Sequence, residues 1–138
     1  MTYHTQHHSW KLPFFIATIG LGVLLILNDI AIRLALYSGY RWIDIPFHFI
    51  GGFCVGLAGI GLFRMVFGYE VYKRSPQLLI ITLFVLFVGM LWEAVEAYYN
   101  VSILFGGNFW FDTYKDLLMD TLGGILSYIC FHPHKKNL

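Results

Sequence analysis

Three acidic side chains recur at four-residue spacing in the segment 111–124, FDTYKDLLMDTLGG. On an α-helix Asp112, Asp116 and Asp120 follow one another along one face, because residues four apart lie one above the other. At about 1.5 Å per residue, Asp116 lies roughly 6 Å and Asp120 roughly 12 Å along the helix from Asp112. The segment then runs into the apolar stretch LGGILSYICF. Carboxylates on a membrane helix are costly unless something cationic meets them, so the pattern predicts a cation beside them.

Two further stretches carry groups of the same kind. DIPFHFIGG has Asp44 and His48 one helical turn apart, and WEAVEAYY has Glu93 and Glu96 on one helix face. A mixed imidazole and carboxylate set suits Zn²⁺, Mn²⁺ or Fe²⁺, whereas carboxylates and water alone suit Mg²⁺ or Ca²⁺. We therefore hypothesise a divalent metal ion whose ligands come from one set of residues. That set is His48, Glu93, Glu96, Asp116 and Asp120.

Such a metal site suggests a reaction class. A metal-bound water could attack a phosphoryl or acyl group on a lipid-linked or envelope substrate, with Glu93, Asp116 and Asp120 as the predicted catalytic residues. The sequence has no nucleophile elbow, P-loop or zincin motif, so this hypothesis depends on the convergence of the ligands.

Composition determines the class of protein. Of the 138 residues, 58% are hydrophobic and 12% are charged, whereas soluble domains have about a quarter charged residues. This indicates an integral membrane protein in contact with the lipid bilayer, with room for one domain. A basic stripe or a nucleic-acid-reading motif is lacking, so nucleic acid is excluded as a partner.

Hydrophobic runs predict an all-α polytopic membrane protein, a bundle of four transmembrane helices. The predicted spans are 13–37, 43–67, 78–99 and 112–131, which puts both termini on one side. On that side the basic residues outnumber those on the other by six to three, which favours cytoplasmic termini. The six are Lys11, Arg64, Lys73, Arg74, Lys135 and Lys136; the three are Arg33, Arg41 and Lys115.

With that orientation, seven of the eight acids lie in the outer halves of the spans or at the outer surface. They are Asp29, Asp44, Glu93, Glu96, Asp112, Asp116 and Asp120. Every span then contributes, and we expect these groups and His48 to converge in one outward-opening pocket.

Several of these groups also have simpler interpretations. Asp29 and Arg33 are four residues apart and can neutralise one another. Asp116 can pair with Lys115 or with Arg41.

Two of the acids, Asp44 and Asp112, suit helix beginnings. Asp44 is favoured as a cap of the second span, and Asp112 as an N-cap or first-turn acid.

The second span is rich in glycine, including Gly52xxxGly56. Such small residues let helices approach closely. We expect them to serve helix packing. An oligomer formed through this span is also compatible with the sequence.

Taken together, DIPFHFIGG, WEAVEAYYN and FDTYKDLLMDTLGG resemble the VanZ-like membrane proteins and the related YjdF-like group. Those families show an Asp-x-x-x-His start to one span, an acid-bearing end of the next, and a D-T-x-x-D-x-x-x-N-x-x-G-type start to the last. The match covers about residues 44–126 and marks Asp44, His48, Glu93, Glu96, Asp112, Asp116 and Gly123. This sequence has Asp120 where the family pattern usually has Asn, which makes the pocket more acidic. The resemblance implies a bacterial inner-membrane location at the cell envelope.

Three functions are compatible with the sequence. The first is a metal-dependent hydrolase or transferase acting on a lipid-linked or envelope substrate. The second is a non-catalytic membrane subunit or assembly factor whose polar cluster fixes helix packing. The third is a proton or cation carrier, because chains of acids on several spans form proton relays.

Overall fold

A computed structural model describes residues 10–68, 76–99 and 108–131, and all the regular structure in these ranges is helical. Four long helices are present: α1 (Lys11–Arg33), α3 (Asp44–Phe67), α4 (Gln77–Tyr98) and α5 (Phe109–Phe131). Between α1 and α3 lie a short helix, α2 (Leu36–Gly39), and a 3₁₀ turn, Arg41–Ile43. Four of the basic residues used for orientation lie outside the described residues: Lys73, Arg74, Lys135 and Lys136.

Three of these helices, α1, α3 and α4, are long and apolar enough to cross a membrane. The all-α, multi-pass membrane fold is therefore confirmed for three spans. Helix α5 is 23 residues long, but Asp112, Lys115, Asp116 and Asp120 make its first half strongly polar. The fourth crossing and the side on which the termini lie remain predictions.

The first span is shorter than predicted. Helix α1 ends at Arg33, whereas the apolar pattern predicted a helix to residue 37, because Ala35 adopts a left-handed backbone with φ of 51°. No glycine or proline marks this point in the sequence. The reversal brings the Tyr37 hydroxyl into a hydrogen bond with Asn28 Oδ1.

Helix α3 is the centre of the bundle and packs most extensively against α5, then against α1 and α4. The close approach of α3 and α5 depends on glycine. A Cβ on Gly52 would overlap the backbone of Asp120, and one on Gly123 would overlap the backbone of Phe49. Gly56 in turn faces Ser127, so the small-residue surface of α3 serves packing within this chain, as predicted.

The remaining apolar side chains of the helices are either buried in a core or exposed on the outside. A small core of fully buried side chains lies among the helices: Ala17, Leu57, Ile60, Ile81 and Val85. Most leucine, isoleucine and phenylalanine side chains on α1 and on the outer face of α4 are instead exposed. In a membrane protein, such faces contact lipid tails.

The close contact of α3 with α5 leads to a prediction about the stability of the protein. We expect Gly52→Ala to lower the free energy of unfolding by about 1–3 kcal/mol, because the new methyl group must push two helix backbones apart. Gly22→Ala on α1 is the matched control, since a Cβ there meets nothing within 4 Å. Thermal unfolding in detergent measures both, and equal melting temperatures for the two variants would contradict this packing.

Candidate metal centre

The polar residues of four helices meet at one end of the bundle. Here the first turns of α3 and the first half of α5 lie beside the last turns of α4, while the connection after α1 closes one side. The antiparallel order of α3, α4 and α5 produces this meeting, because each long helix reverses the direction of the one before it. Acids at the start of α3, the end of α4 and the start of α5 therefore share one level.

His48 lies in the middle of this group and is only 6% exposed. Its Nε2 is 3.5 Å from Asp44 Oδ1 and 4.0 Å from Asp116 Oδ1. Its other nitrogen, Nδ1, is 3.4 Å from Asp120 Oδ2. The two ring nitrogens thus face different carboxylates, which allows them different roles.

Two sets of three side chains bring candidate ligand atoms within 4.8 Å of one another. One set is Asp44, His48 and Asp116, and the other is His48, Glu93 and Glu96. Ligand atoms that bind one Zn²⁺ at about 2.0–2.2 Å in tetrahedral geometry are roughly 3.4 Å apart. The His48–Asp44 separation already matches this value, and the distance to Asp116 is longer by about half an ångström.

Two of the predicted ligands carry buried oxygens without hydrogen-bond partners among the described residues. These are Asp116 Oδ1 and Glu93 Oε1. Leaving a buried acceptor unpaired costs about 1–3 kcal/mol, so such atoms are rare and need an explanation. The two oxygens belong to different candidate sets, and Lys115 Nζ lies 3.3 Å from Asp116 Oδ1. A divalent metal ion bound by either set would give the carboxylate oxygen of that set a partner, and an imidazole with two carboxylates fits such an ion.

Lys115 supplies the charge that opposes the acids in the described part of the site. Its Nζ lies 2.7 Å from Asp112 Oδ1 and 3.3 Å from both Asp44 Oδ2 and Asp116 Oδ1. The predicted pairing of Asp116 with Lys115 is therefore confirmed. One ammonium group cannot balance the six carboxylates gathered here, which are Asp44, Glu93, Glu96, Asp112, Asp116 and Asp120.

The expectation that Asp29 joins this cluster is wrong. Its carboxylate binds Arg33 at 2.7 Å, and the two side chains are 58% and 75% exposed. The i,i+4 spacing keeps this pair on the outside of α1. The same stretch of chain instead brings Asn28 and Tyr37 to the site.

The two first-turn acids differ in part from the sequence expectation. The N-cap residue of α3 is Ile43, without a side-chain cap, so Asp44 is not a cap and its oxygens face His48 and Lys115 instead. Asp112 lies in the first turn of α5, as predicted. Both acids therefore serve the charge network of the site.

A cavity of about 220 Å³ opens beside His48. Its polar end is lined by Asn28, Tyr37, Asp44, His48, Glu96 and Asp120. Burial, together with the carboxylates of Asp44 and Glu96, raises the pKa of the Tyr37 phenol. Tyr37 therefore stays protonated, and its hydroxyl donates to Asn28.

The predicted site residues thus fall into two groups by accessibility. His48, Glu93, Asp116 and Asp120 are buried. Glu96 is partly exposed, and its Oε1 accepts a hydrogen bond of 2.8 Å from Trp92 Nε1. Sequence reasoning missed Trp92, although its position one turn before Glu96 gave the signal.

Comparison with known proteins bears on the family but not on a reaction. A family model described as "Predicted membrane protein (DUF2238)" matches residues 4–137. No curated protein and no solved structure matches the chain. The match supports a small membrane-protein family, and the finer resemblance to VanZ-like and YjdF-like proteins stays a prediction.

The Lys115 network makes a testable prediction. We expect Lys115→Met to lower stability by about 2 kcal/mol in metal-free protein, because three carboxylates lose their shared counter-ion. Adding Asp116→Asn to this variant removes one of the stranded charges and recovers part of the loss. Denaturation in the presence of a chelator measures the three proteins, and a double variant no more stable than Lys115→Met would contradict the network.

Proposed function

This chain belongs to the DUF2238 family of predicted membrane proteins, and we propose that it binds one divalent metal ion at His48 and uses it for hydrolysis or group transfer on a membrane-resident substrate. The single observation that carries the proposal is the environment of Asp116 Oδ1. Within the described residues this buried carboxylate oxygen makes no hydrogen bond; it lies 4.0 Å from His48 Nε2 and 3.3 Å from Lys115 Nζ.

The imidazole is oriented for metal binding. A metal-ligating histidine usually donates its second ring N–H to a carboxylate, which fixes the tautomer and strengthens the ligand. Asp120 Oδ2, at 3.4 Å from Nδ1, is suited to that role. His48 then presents Nε2 to the metal, and Asp120 acts as the positioning residue rather than as a direct ligand.

We assign the remaining ligands to Asp44 and Asp116, whose Oδ1 atoms lie 3.5 Å and 4.0 Å from Nε2. Asp116 and Asp44 belong to one candidate set, and Glu93 and Glu96 to the other. A histidine with several carboxylates favours Zn²⁺, Mn²⁺ or Fe²⁺ over Mg²⁺, which prefers oxygen ligands and keeps its water.

The buried imidazole and carboxylates support a hydrolytic role for the proposed metal site. A metal ion bound by His48, Asp44 and Asp116 would supply a water of lowered pKa, and the buried Glu93 carboxylate would be the group that takes a proton from it. The water oxygen would form a bond to the phosphorus or acyl carbon as the bond to the leaving oxygen breaks. Glu93 would then pass the proton to that leaving oxygen.

One observation favours a second candidate, a structural role without metal. Lys115 already pairs with Asp44, Asp112 and Asp116, and a protonated His48 would add a second cation to the cluster. The protein would then be a non-catalytic membrane subunit whose charge network fixes the packing of α3 on α5. The two candidates differ in whether purified protein retains metal.

Metal analysis tests the proposal. The variant for this experiment has His4, His7, His8, His132 and His134 replaced by serine and carries no polyhistidine tag, so that adventitious histidine sites are removed. We expect about one equivalent of a transition metal per chain by elemental mass spectrometry, and less than a tenth of that after His48→Ala. The control is Asp29→Asn, which removes an exposed carboxylate outside the site. Metal-free protein that is equally stable before and after metal addition would support the structural role instead.

The role of Asp120 is tested separately. We expect Asp120→Asn to weaken metal binding about 10–100-fold, because the amide no longer accepts the imidazole proton as strongly. Asp116→Asn, which removes a direct ligand, should weaken it further. Titration with Zn²⁺ or Mn²⁺ measures both, and an Asp120→Asn affinity equal to that of the unsubstituted protein would remove Asp120 from the site.

A further inference from the structure

The cavity beside His48 continues as an apolar groove between α1 and α4, with α3 as its floor. Leu21 and Leu24 line it from α1, and Val85 and Val88 from α4. Gly51 and Gly52 on α3 line the floor. From Val85 to Trp92 the groove runs for about 10 Å along the helix axis.

The groove opens sideways toward the surroundings of the helices. Among the described residues, α1 packs chiefly on α3 and makes few contacts with α4, which leaves a gap between α1 and α4. Leu25 and Trp92, at its two edges, are 57% and 37% exposed. Because α1, α3 and α4 are the helices able to cross a bilayer, this side opening faces lipid.

The polar end of the groove lies at the level of exposed aromatic rings. Trp42 comes two residues before Asp44, and Tyr98 two residues after Glu96; these rings are 64% and 79% exposed. Exposed tryptophan and tyrosine side chains collect at the membrane–water interface. A lipid lying in the groove would therefore have its headgroup at the polar end and its chain at the apolar end, in its ordinary bilayer orientation.

The polar end is acidic. Asp44, Glu96 and Asp120 line it, and no described lysine or arginine side chain does. With one divalent metal bound and Lys115 charged, the cluster still has an excess of carboxylates. Charge complementarity thus favours a headgroup that carries a positive charge and donates hydrogen bonds.

We propose that the groove between α1 and α4 binds one chain of an amino-phospholipid and holds its ammonium headgroup against Glu96. This deepens the proposed function by naming the class of substrate, and it rests on that function only for the reaction that follows binding. The chain lies between Leu21, Leu24, Val85 and Val88.

Substitution of Gly51 by a larger residue is designed to fill the groove. A Cβ at this position meets nothing within 4 Å, and Gly51 lines the cavity, so we expect the side chain of Gly51→Leu to occupy the cavity. Gly22→Leu is the matched control, because Gly22 is equally open and does not line the groove. Val88→Phe fills the groove from α4, and Leu83→Phe on the exposed face of α4 is its control.

The experiment is a lipid titration followed by native mass spectrometry in detergent. The probes are phosphatidylethanolamine and phosphatidylcholine with identical acyl chains, since the trimethylated head of the second has no N–H to donate. We expect binding of phosphatidylethanolamine to exceed that of phosphatidylcholine at least about tenfold. Gly51→Leu and Val88→Phe should each remove this preference, whereas Gly22→Leu and Leu83→Phe should keep it.

The outcomes separate this inference from the metal proposal, because metal content is measured on the same samples. Unchanged lipid binding in both filled variants would overturn the groove, and equal binding of the two lipids would overturn the amino headgroup. If the filled variants lose lipid but keep metal, both proposals stand. If lipid binding depends on the groove while the protein holds no metal, the inference stands and the proposed function fails.

Discussion

The structure depends on burying negative charge inside a membrane protein. His48, Glu93, Asp116 and Asp120 are all less than a tenth exposed, and isolated carboxylates in such surroundings are strongly unfavourable. The fold meets this constraint by bringing carboxylates from α3, α4 and α5 around an imidazole and one ammonium group. The close contact of α3 with α5 is what makes the meeting possible, because glycine at positions 52 and 123 lets the two backbones touch directly below His48.

The predictable part of the site came from local spacing. Residues that were four apart in the sequence do share helix faces, so the columns Asp44–His48 and Asp112–Asp116–Asp120 could be predicted from the sequence. The antiparallel order of the spans then placed their ends together. The same local rule explains why Asp29 leaves the cluster, since its partner Arg33 is also four residues away.

The unpredictable part came from the backbone between the helices. No glycine or proline marks the left-handed conformation of Ala35 in the sequence. The end of α1 at Arg33 and the contact of Tyr37 with Asn28 therefore could not be predicted. The two ring nitrogens of His48 face different acids, and this arrangement depends on how the helices pack. Spacing along one helix identifies which residues share a face, but the rotation of α5 against α3 decides which nitrogen meets Asp120.

The left-handed turn at Ala35 has a consequence for the width of the opening beside α1. Helix α1 is fixed to α3 near its start, where Phe14 meets Gly61 and Gly20 meets Cys54, and again after its end, where Tyr37 packs against Phe47. Ala31, near the end of α1, is also buried. The turn at Ala35 positions Tyr37 for its contact with Phe47. We therefore expect changes at Ala35 to alter the distance between α1 and α4 without touching any charged group.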